Sequence, residues 1–298
     1  MRWIGPEQVG AFAEAGTDAY RIASGRDARI ERFGDGAIIS YTNELSALSG
    51  ALLSWCEKTK TAIARVYARR LVVGPGKDNA PQLLEEYSTA GAQPDGVAME
   101  NHLRYAIDFL AGYSCGLFVD QRENRVHLRG LNPRKVLNTF AYTCAFSVAA
   151  AASGAETVSV DLAKASLERG KANFQLNGLS LDGHRFLTDD VLDVLPRLAR
   201  RGDKFDAIIL DPPTFSRSRA GRVFRVEKDF GILLERAVDV AAPGAGILLS
   251  TNCSALQSDD LCAIARRHLR GSISFSNALA QPDIPSGQGA STVWLRLG

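Results

Sequence analysis

The sequence predicts an α/β fold, an open and mostly parallel sheet of the doubly wound kind preceded by a small α+β domain. Three observations carry that expectation. From Arg134 onward, short apolar runs alternate with longer segments whose apolar residues recur at helical spacing. The run Phe205-Asp206-Ala207-Ile208-Ile209-Leu210 reads as a strand buried on both faces, and Asp211 stands where it ends. Val136-Leu137-Asn138 leads through a small-residue turn into an Ala-rich helix at 148–153, and the β-branched strand at 157–160 that follows closes on Asp161. This is the βαβ unit of a nucleoside-binding half.

In chain order, the amino-terminal part is mixed. Residues 20–22 and 37–41 read as short strands around a turn at 33–36. Leu45, Leu48, Leu52, Trp55, Ile63, Val66 and Tyr67 recur at helical spacing and predict one amphipathic helix over 45–70. Residues 75–81 are loop-like, and the Gly-rich stretch 91–96 marks a boundary, so the expected division is 1–96 and 97–298. Residues 102–111 and 116–120 predict a hairpin leading into 121–125. Helices are expected at 163–177, 191–200, 227–240 and 259–269. Strands are expected at 184–188, 205–210, 247–251, 273–278 and 292–297.

The acid that closes the second strand of such a unit, Asp161, is placed to accept from ribose hydroxyls. Neither a Gly-x-Gly-x-x-Gly nor a Gly-Lys-Ser/Thr phosphate loop occurs. A cofactor with a ribose but no pyrophosphate fits this turn, which points to S-adenosylmethionine and away from nicotinamide, flavin and nucleoside triphosphates. The prolines of Asp211-Pro212-Pro213-Thr214-Phe215 remove backbone donors and fix the local path. The result is a stiff turn presenting a carboxylate and an aromatic, suited to gripping a planar base. Arg217, Arg219, Arg222 and Arg225 follow at once, and guanidinium groups beside a base site can hold flanking phosphates or stack on bases. Pro212, Pro213, Phe215, Arg217, Arg219 and Arg222 are therefore the candidate substrate contacts.

A net charge of +2 over 298 residues does not by itself define a polyanionic partner. The remaining arginine clusters (Arg65, Arg69 and Arg70; Arg197, Arg200 and Arg201; Arg266, Arg267 and Arg270) read as solvated helix faces. The five cysteines, Cys56, Cys115, Cys144, Cys253 and Cys262, form no Cys-x-x-Cys pair, and the four histidines show no metal-ligand spacing. No signal peptide and no run of membrane-spanning length is present. The expectation is a cytoplasmic chain without disulfides, bound metal or membrane contact.

Four segments in order carry a more specific likeness. They are Phe118-Val119-Asp120-Gln121-Arg122-Glu123-Asn124-Arg125, Phe140-Ala141-Tyr142-Thr143 with Phe146-Ser147, Val158-Ser159-Val160-Asp161, and Asp211-Pro212-Pro213. Together they resemble the bacterial 23S ribosomal RNA large-subunit methyltransferases, which include cytosine-5 enzymes and the guanine-N7 arm of a fused enzyme. The likeness covers roughly residues 97–298, and weakly 17–41. It implies a Rossmann-like class I S-adenosylmethionine-dependent methyltransferase domain with a seven-stranded, mostly parallel sheet. A separate small domain is expected before it as a candidate for RNA or substrate recognition. As a departure from the family, the first ninety or so residues are too few, and patterned differently, to hold the PUA domain of the cytosine-5 members. Gln121 and Arg122 would lie against the cofactor, Phe140 and Tyr142 along its methionine portion, Asp161 on its ribose, and Asp189 and Asp190 near adenine. Asp211 would face both methyl group and target base. Asp189 is equally a candidate cap for the helix starting at Val191. Cys144 departs from the family glycine, which allows positive φ and close backbone approach. RNA, ribosomal RNA first, is the implied partner; the oligomeric state stays open, a homodimer included.

Leu249-Ser250-Thr251-Asn252-Cys253-Ser254 resembles the cysteine-bearing loop of the cytosine-5 enzymes. Carbon 5 of cytosine becomes nucleophilic only after a thiolate adds at carbon 6, so Cys253 is the candidate nucleophile and Asp211 the candidate for holding the ring. A guanine nitrogen needs positioning alone, and Asp-Pro-Pro-Thr-Phe-Ser is closer to the guanine-N7 arm. Cytosine carbon 5 is the first reading and a guanine nitrogen, N7 or N2, the second. A small-molecule methyltransferase or a non-catalytic cofactor-binding module is the remaining alternative.

Overall fold

The structure, a computed structural model, describes residues 1–71, 80–112, 114–218, 221–276 and 279–298. Arg219, most of the loop expected at 75–81 and the end of the strand expected at 273–278 lie outside the described residues. The chain packs as two units, Met1–Asp120 with Gln281–Gln288, and Gln121–Ala280 with Gly289–Gly298.

The first unit contains β1 (Arg2–Trp3), α1 (Pro6–Glu14), β2 (Ala19–Ser24), β3 (Ala28–Phe33), β4 (Gly36–Tyr41), α2 (Ser46–Thr59), β5 (Arg65–Arg70) and β6 (Gln82–Leu83). Its strands pair in sequence order, antiparallel except for β4 and β5, which α2 connects as a parallel crossover. The helix expected over 45–70 is shorter. It ends at Thr59, and Lys60 takes a left-handed conformation. Val66 and Tyr67 lie instead in β5, where β-branched and aromatic side chains fill a buried strand. Arg65 and Arg69 are therefore not on a solvated helix face. Arg69 is buried and donates from Nε to Ser40 Oγ at 2.8 Å, and Arg65 Nε donates to Asp35 Oδ1 at 3.0 Å.

The hairpin near residue 100 is also displaced from its expected position. β7 (Asp95–Glu100) pairs with β8 (Leu103–Asp108), and residues 116–120 form no strand. The turn is Asn101-His102, both at positive φ (48° and 65°), the requirement of a type I′ hairpin. The expected boundary at 96/97 falls within β7. Segment Gln281–Gln288 joins this unit through Arg21, whose backbone N–H donates to Asp283 Oδ2 at 2.8 Å and whose Nη1 donates to the Gln288 carbonyl at 2.7 Å. Arg21 also pairs with buried Glu31 at 2.9 Å. Burial opposes the ionised Glu31, but Arg21 and Arg29 outweigh it and hold its carboxyl below the usual range.

The second unit opens with α3 (Arg122–Gly130), β9 (Lys135–Thr139), α4 (Ala145–Ala151), β10 (Glu156–Asp161), α5 (Lys164–Leu176), β11 (Arg185–Thr188) and α6 (Val191–Arg200). It continues with β12 (Phe205–Leu210), β13 (Phe215–Arg217), β14 (Val223–Arg225), α7 (Val226–Val238), β15 (Ala241–Thr251), α8 (Ser258–His268), β16 (Ile273–Ser276) and β17 (Ser291–Leu297). Among the described residues, seven of these strands form the sheet in the order β11-β10-β9-β12-β15-β17-β16, with β17 alone running antiparallel to its neighbours. Successive residues of β12 enter opposite cores. Ile208 and Leu210 pack with the α6 and α7 side, and Ala207 and Ile209 with Leu128, Phe146 and Trp294. Burial on both faces explains the unbroken apolar run.

Helix α6 shows how local sequence and tertiary partner match. Val191, Leu192, Val194, Leu195 and Leu198 make its buried stripe, and Pro196 sits inside it. Proline has no N–H, so the carbonyl four residues earlier, on Leu192, loses its helical donor. Arg236 of α7 supplies the missing bond, with Nη1 2.6 Å from that carbonyl oxygen. No helix among the described residues is long and apolar enough to cross a membrane.

Candidate cofactor and substrate site

The strand order reverses between β9 and β12, and ligands of open α/β sheets bind beyond the carboxyl ends of the strands at such a point. The register aligns the candidate residues there. Val160, Thr139, Leu210 and Leu249 form one row across β10, β9, β12 and β15. The next residue on each strand is Asp161, Phe140, Asp211 and Ser250, so these four line one edge.

Asp161 shapes the turn after β9. Its Oδ2 accepts from the Tyr142 backbone N–H and its Oδ1 from that of Ala163, both at 2.8 Å. Within this turn Phe140, Tyr142 and Cys144 all take positive φ, at 52°, 48° and 60°. Non-glycine residues in that region cost of order 1–3 kcal/mol each and persist only where surroundings fix them. The surroundings are visible. The Ala141 N–H donates to the Val160 carbonyl at 2.9 Å, and Asn173 of α5 donates to the Thr143 carbonyl at 2.9 Å. Cys144 is fully buried against α5, where a Cβ built on Gly170 would stand 2.4 Å from its sulfur. Burial pushes the Cys144 thiol up to about 12, so it stays protonated.

Asp211 ends a chain of side-chain hydrogen bonds. Its Oδ1 accepts from Ser250 Oγ at 2.7 Å, Ser250 Oγ accepts from Gln121 Nε2 at 2.8 Å, and Gln121 Oε1 accepts from Asn124 Nδ2 at 2.8 Å. Trp294 Nε1 donates to Asn124 Oδ1 at 3.0 Å. Gln121 immediately precedes α3 without a capping side-chain hydrogen bond, and its amide is engaged at both ends. Arg122, the first residue of α3, is buried with its Nε 3.1 Å from Glu123 Oε1. Asn124 and Ser250 were not singled out by sequence reasoning; nothing in α3 announced a helix, because its buried face consists of Arg122, Asn124, Arg125 and Leu128.

Beyond β11, Asp190 rather than Asp189 caps α6, its Oδ1 accepting from the Leu192 N–H at 2.9 Å. Asp189 accepts from Arg197 and from the Asp190 N–H. Arg222 donates to Asp190 Oδ2 at 3.1 Å and Asp193 Oδ1 at 2.8 Å, so its guanidinium braces the start of α6. Pro212 is buried and Pro213 exposed; Phe215 and Arg217 lie on β13, which pairs with β14 in a short ribbon. Phe215 is 50% exposed, and the Arg225 guanidinium sits 5.7 Å over its ring. Phe140 packs against Phe224 of β14 with ring centroids 5.9 Å apart.

Cys253, two residues past β15, is 6% exposed. Its sulfur lies 3.4 Å from Glu227 Oε1 in the first turn of α7, and its backbone N–H donates to Thr251 Oγ1 at 3.1 Å. Glu227 is a further residue that sequence reasoning missed, since only the fold brings α7 to this loop. A separate cavity of about 620 Å³ opens at the opposite, amino ends of the strands, between Arg134, Asp206, Gly244, Phe275 and Trp294, and contains none of the candidate residues.

Fold and site together define a class I methyltransferase, with a seven-stranded sheet and an acid at the end of the second strand. The chain belongs to the S-adenosylmethionine-dependent methyltransferase family, whose model matches residues 41–295. YwbD of Bacillus subtilis (strain 168) is 41% identical over 162 residues, covering 53% of this chain and 41% of that one. Ribosomal RNA large subunit methyltransferase I of Enterobacter sp. (strain 638) is 31% identical over 256 residues, covering 83% of this chain and 63% of that one. The chain thus spans less than two thirds of the length of either relative. The crystal structure of SMU.776 complexed with SAH superposes with a TM-score of 0.82 at 25% identity, covering 98% of this chain and 78% of that one.

The residues present fit this cofactor. Each Asp161 oxygen accepts one backbone N–H, and an ionised carboxylate has about four acceptor positions, so capacity for a ribose diol remains. The turn between β9 and α4, Phe140-Ala141-Tyr142-Thr143-Cys144, has none of the glycines that let backbone approach a pyrophosphate.

Proposed function

We propose that this protein transfers a methyl group from S-adenosylmethionine to a base of RNA, ribosomal RNA first, at carbon 5 of cytosine. The observation that carries the reading is the single row of Asp161, Phe140, Asp211 and Ser250 at the switch point, with the thiol of Cys253 at the end of the adjoining strand. The Enterobacter relative, a ribosomal RNA large subunit methyltransferase, supports the RNA class. So does the ribbon after Asp211, where an exposed Phe215 backed by Arg225 offers a face on which a base can stack.

In this reading Asp161 holds the ribose, Asp189 and Asp190 the adenine end, and Gln121, Arg122, Phe140 and Tyr142 the remainder of the cofactor. The cofactor supplies an electrophilic methyl group when bound. Glu227 accepts the thiol proton of Cys253, and the sulfur adds to carbon 6 of cytosine, leaving the electron pair on carbon 5. After alkylation at carbon 5, a base removes the carbon 5 proton and the sulfur–carbon 6 bond breaks, restoring the ring. Asp211 hydrogen-bonds the ring and fixes it against the methyl group. Pro212, Pro213, Phe215, Arg217 and Arg222 frame the base and its flanking nucleotides, and the amino-terminal α+β unit contributes to RNA recognition.

One observation favours a guanine nitrogen instead. Cys253 is almost wholly buried with a carboxylate partner, as a structural cysteine would be. The test uses purified wild type and Cys253→Ala with labelled S-adenosylmethionine and ribosomal RNA from a deletion strain, followed by mass spectrometry of the labelled nucleoside. Label in 5-methylcytidine, lost at least 1,000-fold in the variant, is the expected result. Label in a methylated guanosine that ignores the substitution makes the second reading correct.

A further inference from the structure

The chain of hydrogen bonds that ends on Asp211 has a direction, and the direction is set by chemistry. Amide oxygens and nitrogens of Asn and Gln can exchange places without changing shape, so their orientation must follow from their partners. Here one partner leaves no choice. The indole of Trp294 can only donate, so the Asn124 atom facing it at 3.0 Å is the carbonyl oxygen. Asn124 therefore offers its NH2 to Gln121 Oε1, and Gln121 in turn offers its own NH2 to Ser250 Oγ. With that lone pair occupied, the Ser250 hydroxyl proton points at Asp211 Oδ1, 2.7 Å away. Four donors in series, on β17, α3, the residue before α3, and β15, thus deliver one O–H to one carboxylate oxygen just past β12.

Every link except its Asp211 terminus is buried: Trp294 and Asn124 are 3% exposed, Gln121 2% and Ser250 0%. Water cannot replace a missing member at such positions, and bonds in series polarise one another in the same sense. The carboxylate precedes two prolines, and neither Pro212 nor Pro213 has a backbone N–H to offer it.

We infer that Ser250, Gln121 and Asn124 are positioning residues that hold the Asp211 carboxylate in one orientation, as an acceptor, through a directed chain whose polarity is fixed by Trp294. This rests on the reading of Asp211 as the group that orients the target base. The chain also gives Gln121 a task apart from any contact with the cofactor.

The experiment combines a readout that needs no substrate with one that does. The protein has three tryptophans, so indole N–H signals in a ¹⁵N correlation spectrum are few, and Trp294→Phe identifies the relevant one. Ser250→Ala removes a link three hydrogen bonds from that indole. The expected result is a shift of the Trp294 indole signal with the signals of Trp3 and Trp55 unmoved. With an unmodified 23S ribosomal RNA transcript, kcat is expected to fall about 10- to 100-fold, while the Kd for S-adenosylhomocysteine changes less than twofold. Trp294→Phe, which frees Asn124 to turn over without touching the site, is the second variant and lowers kcat several-fold at unchanged cofactor affinity. Ser250→Thr, which keeps the hydroxyl, recovers most of the kcat lost in Ser250→Ala. An indole signal indifferent to Ser250→Ala overturns the chain, and a full kcat in that variant overturns its positioning role. Wild type that leaves the transcript unmethylated defeats the substrate reading instead, and the indole shift still decides whether the chain exists.

Discussion

Gly170→Ala provides the sharpest test of how the turn beside the proposed cofactor site is held. In an exposed helix the substitution is expected to stabilise by about 1 kcal/mol, because glycine is the poorer helix former. Gly170 lies in α5, so propensity alone predicts a gain. The packing predicts the opposite. A Cβ at this position would stand 2.4 Å from Cys144 Sγ and 2.9 Å from Cys144 Cβ, closer than real Cβ atoms come to any neighbour. The Cys144 sulfur is fully buried and cannot swing into solvent. Overpacking of this kind costs about 1–3 kcal/mol, which outweighs the propensity gain. Gly170→Ala is therefore expected to destabilise by about 1–2 kcal/mol. In a Cys144→Gly background the clash is gone and the same substitution is expected to be neutral or stabilising. The cycle thus has a coupling of about 2 kcal/mol, within the range for residues in contact. Urea denaturation of the four proteins measures it, and calorimetric titration with S-adenosylhomocysteine reads the turn itself. Cofactor affinity is expected to fall in Gly170→Ala and to recover in the double variant. Gly170→Ala that is as stable as wild type in both backgrounds would refute the packing argument.

Two further predictions concern the scaffold. Arg236→Met strips the Leu192 carbonyl of the donor it needs because of Pro196, and is expected to cost about 1–2 kcal/mol. Made in a Pro196→Ala background, where the helical N–H is restored, it should cost about 1 kcal/mol less, as chemical denaturation can show. Burial holds His127 and His184 below the ordinary histidine value, so the unfolded chain takes up protons that the folded chain does not. Their contribution is complete above the unfolded value of about 6.5 and is lost as pH falls from there towards the depressed folded values. Thermal midpoints measured from pH 7 to pH 5 should fall, and His184→Gln should flatten the decline; a slope of the same size in that variant would assign it to other groups.

The second unit was largely legible because parallel strands buried on both faces leave unbroken apolar runs. The run before Asp211 and the alternation from Arg134 onward thus gave both the sheet and the edge where the candidate residues stand. What was illegible lay where tertiary contact overrode local pattern. Val66 and Tyr67 carry a spacing that suits a helix, yet they fill β5 because β4 needs a partner. The turn at Asn101-His102 lacks the glycine that marks most type I′ hairpins, which is why the strands were read too late in the chain. Helix α3 buries two arginines and an asparagine and so shows no apolar stripe. Glu227 and Gly170 meet the candidate residues Cys253 and Cys144 only through packing between helices and loops distant in sequence, and no spacing rule reaches them.

Read from sequence, Cys144 in place of the family glycine argues against a backbone close to the cofactor. The fold places the cost elsewhere. Cys144 does take the left-handed conformation that glycine would adopt freely, with φ 60° and ψ 29°. Its side chain, however, turns into α5, into the space that the absent side chain of Gly170 leaves. The Asp161 carboxylate and the Asn173 amide then hold the flanking peptide groups. A left-handed cysteine of this kind strains the chain by about 1–2 kcal/mol, and the packed sulfur offsets part of that. The cysteine is thus accommodated on the protein side of the turn, and the loss of cofactor affinity expected of Gly170→Ala follows from that packing, although Gly170 contacts no ligand in the proposed mechanism.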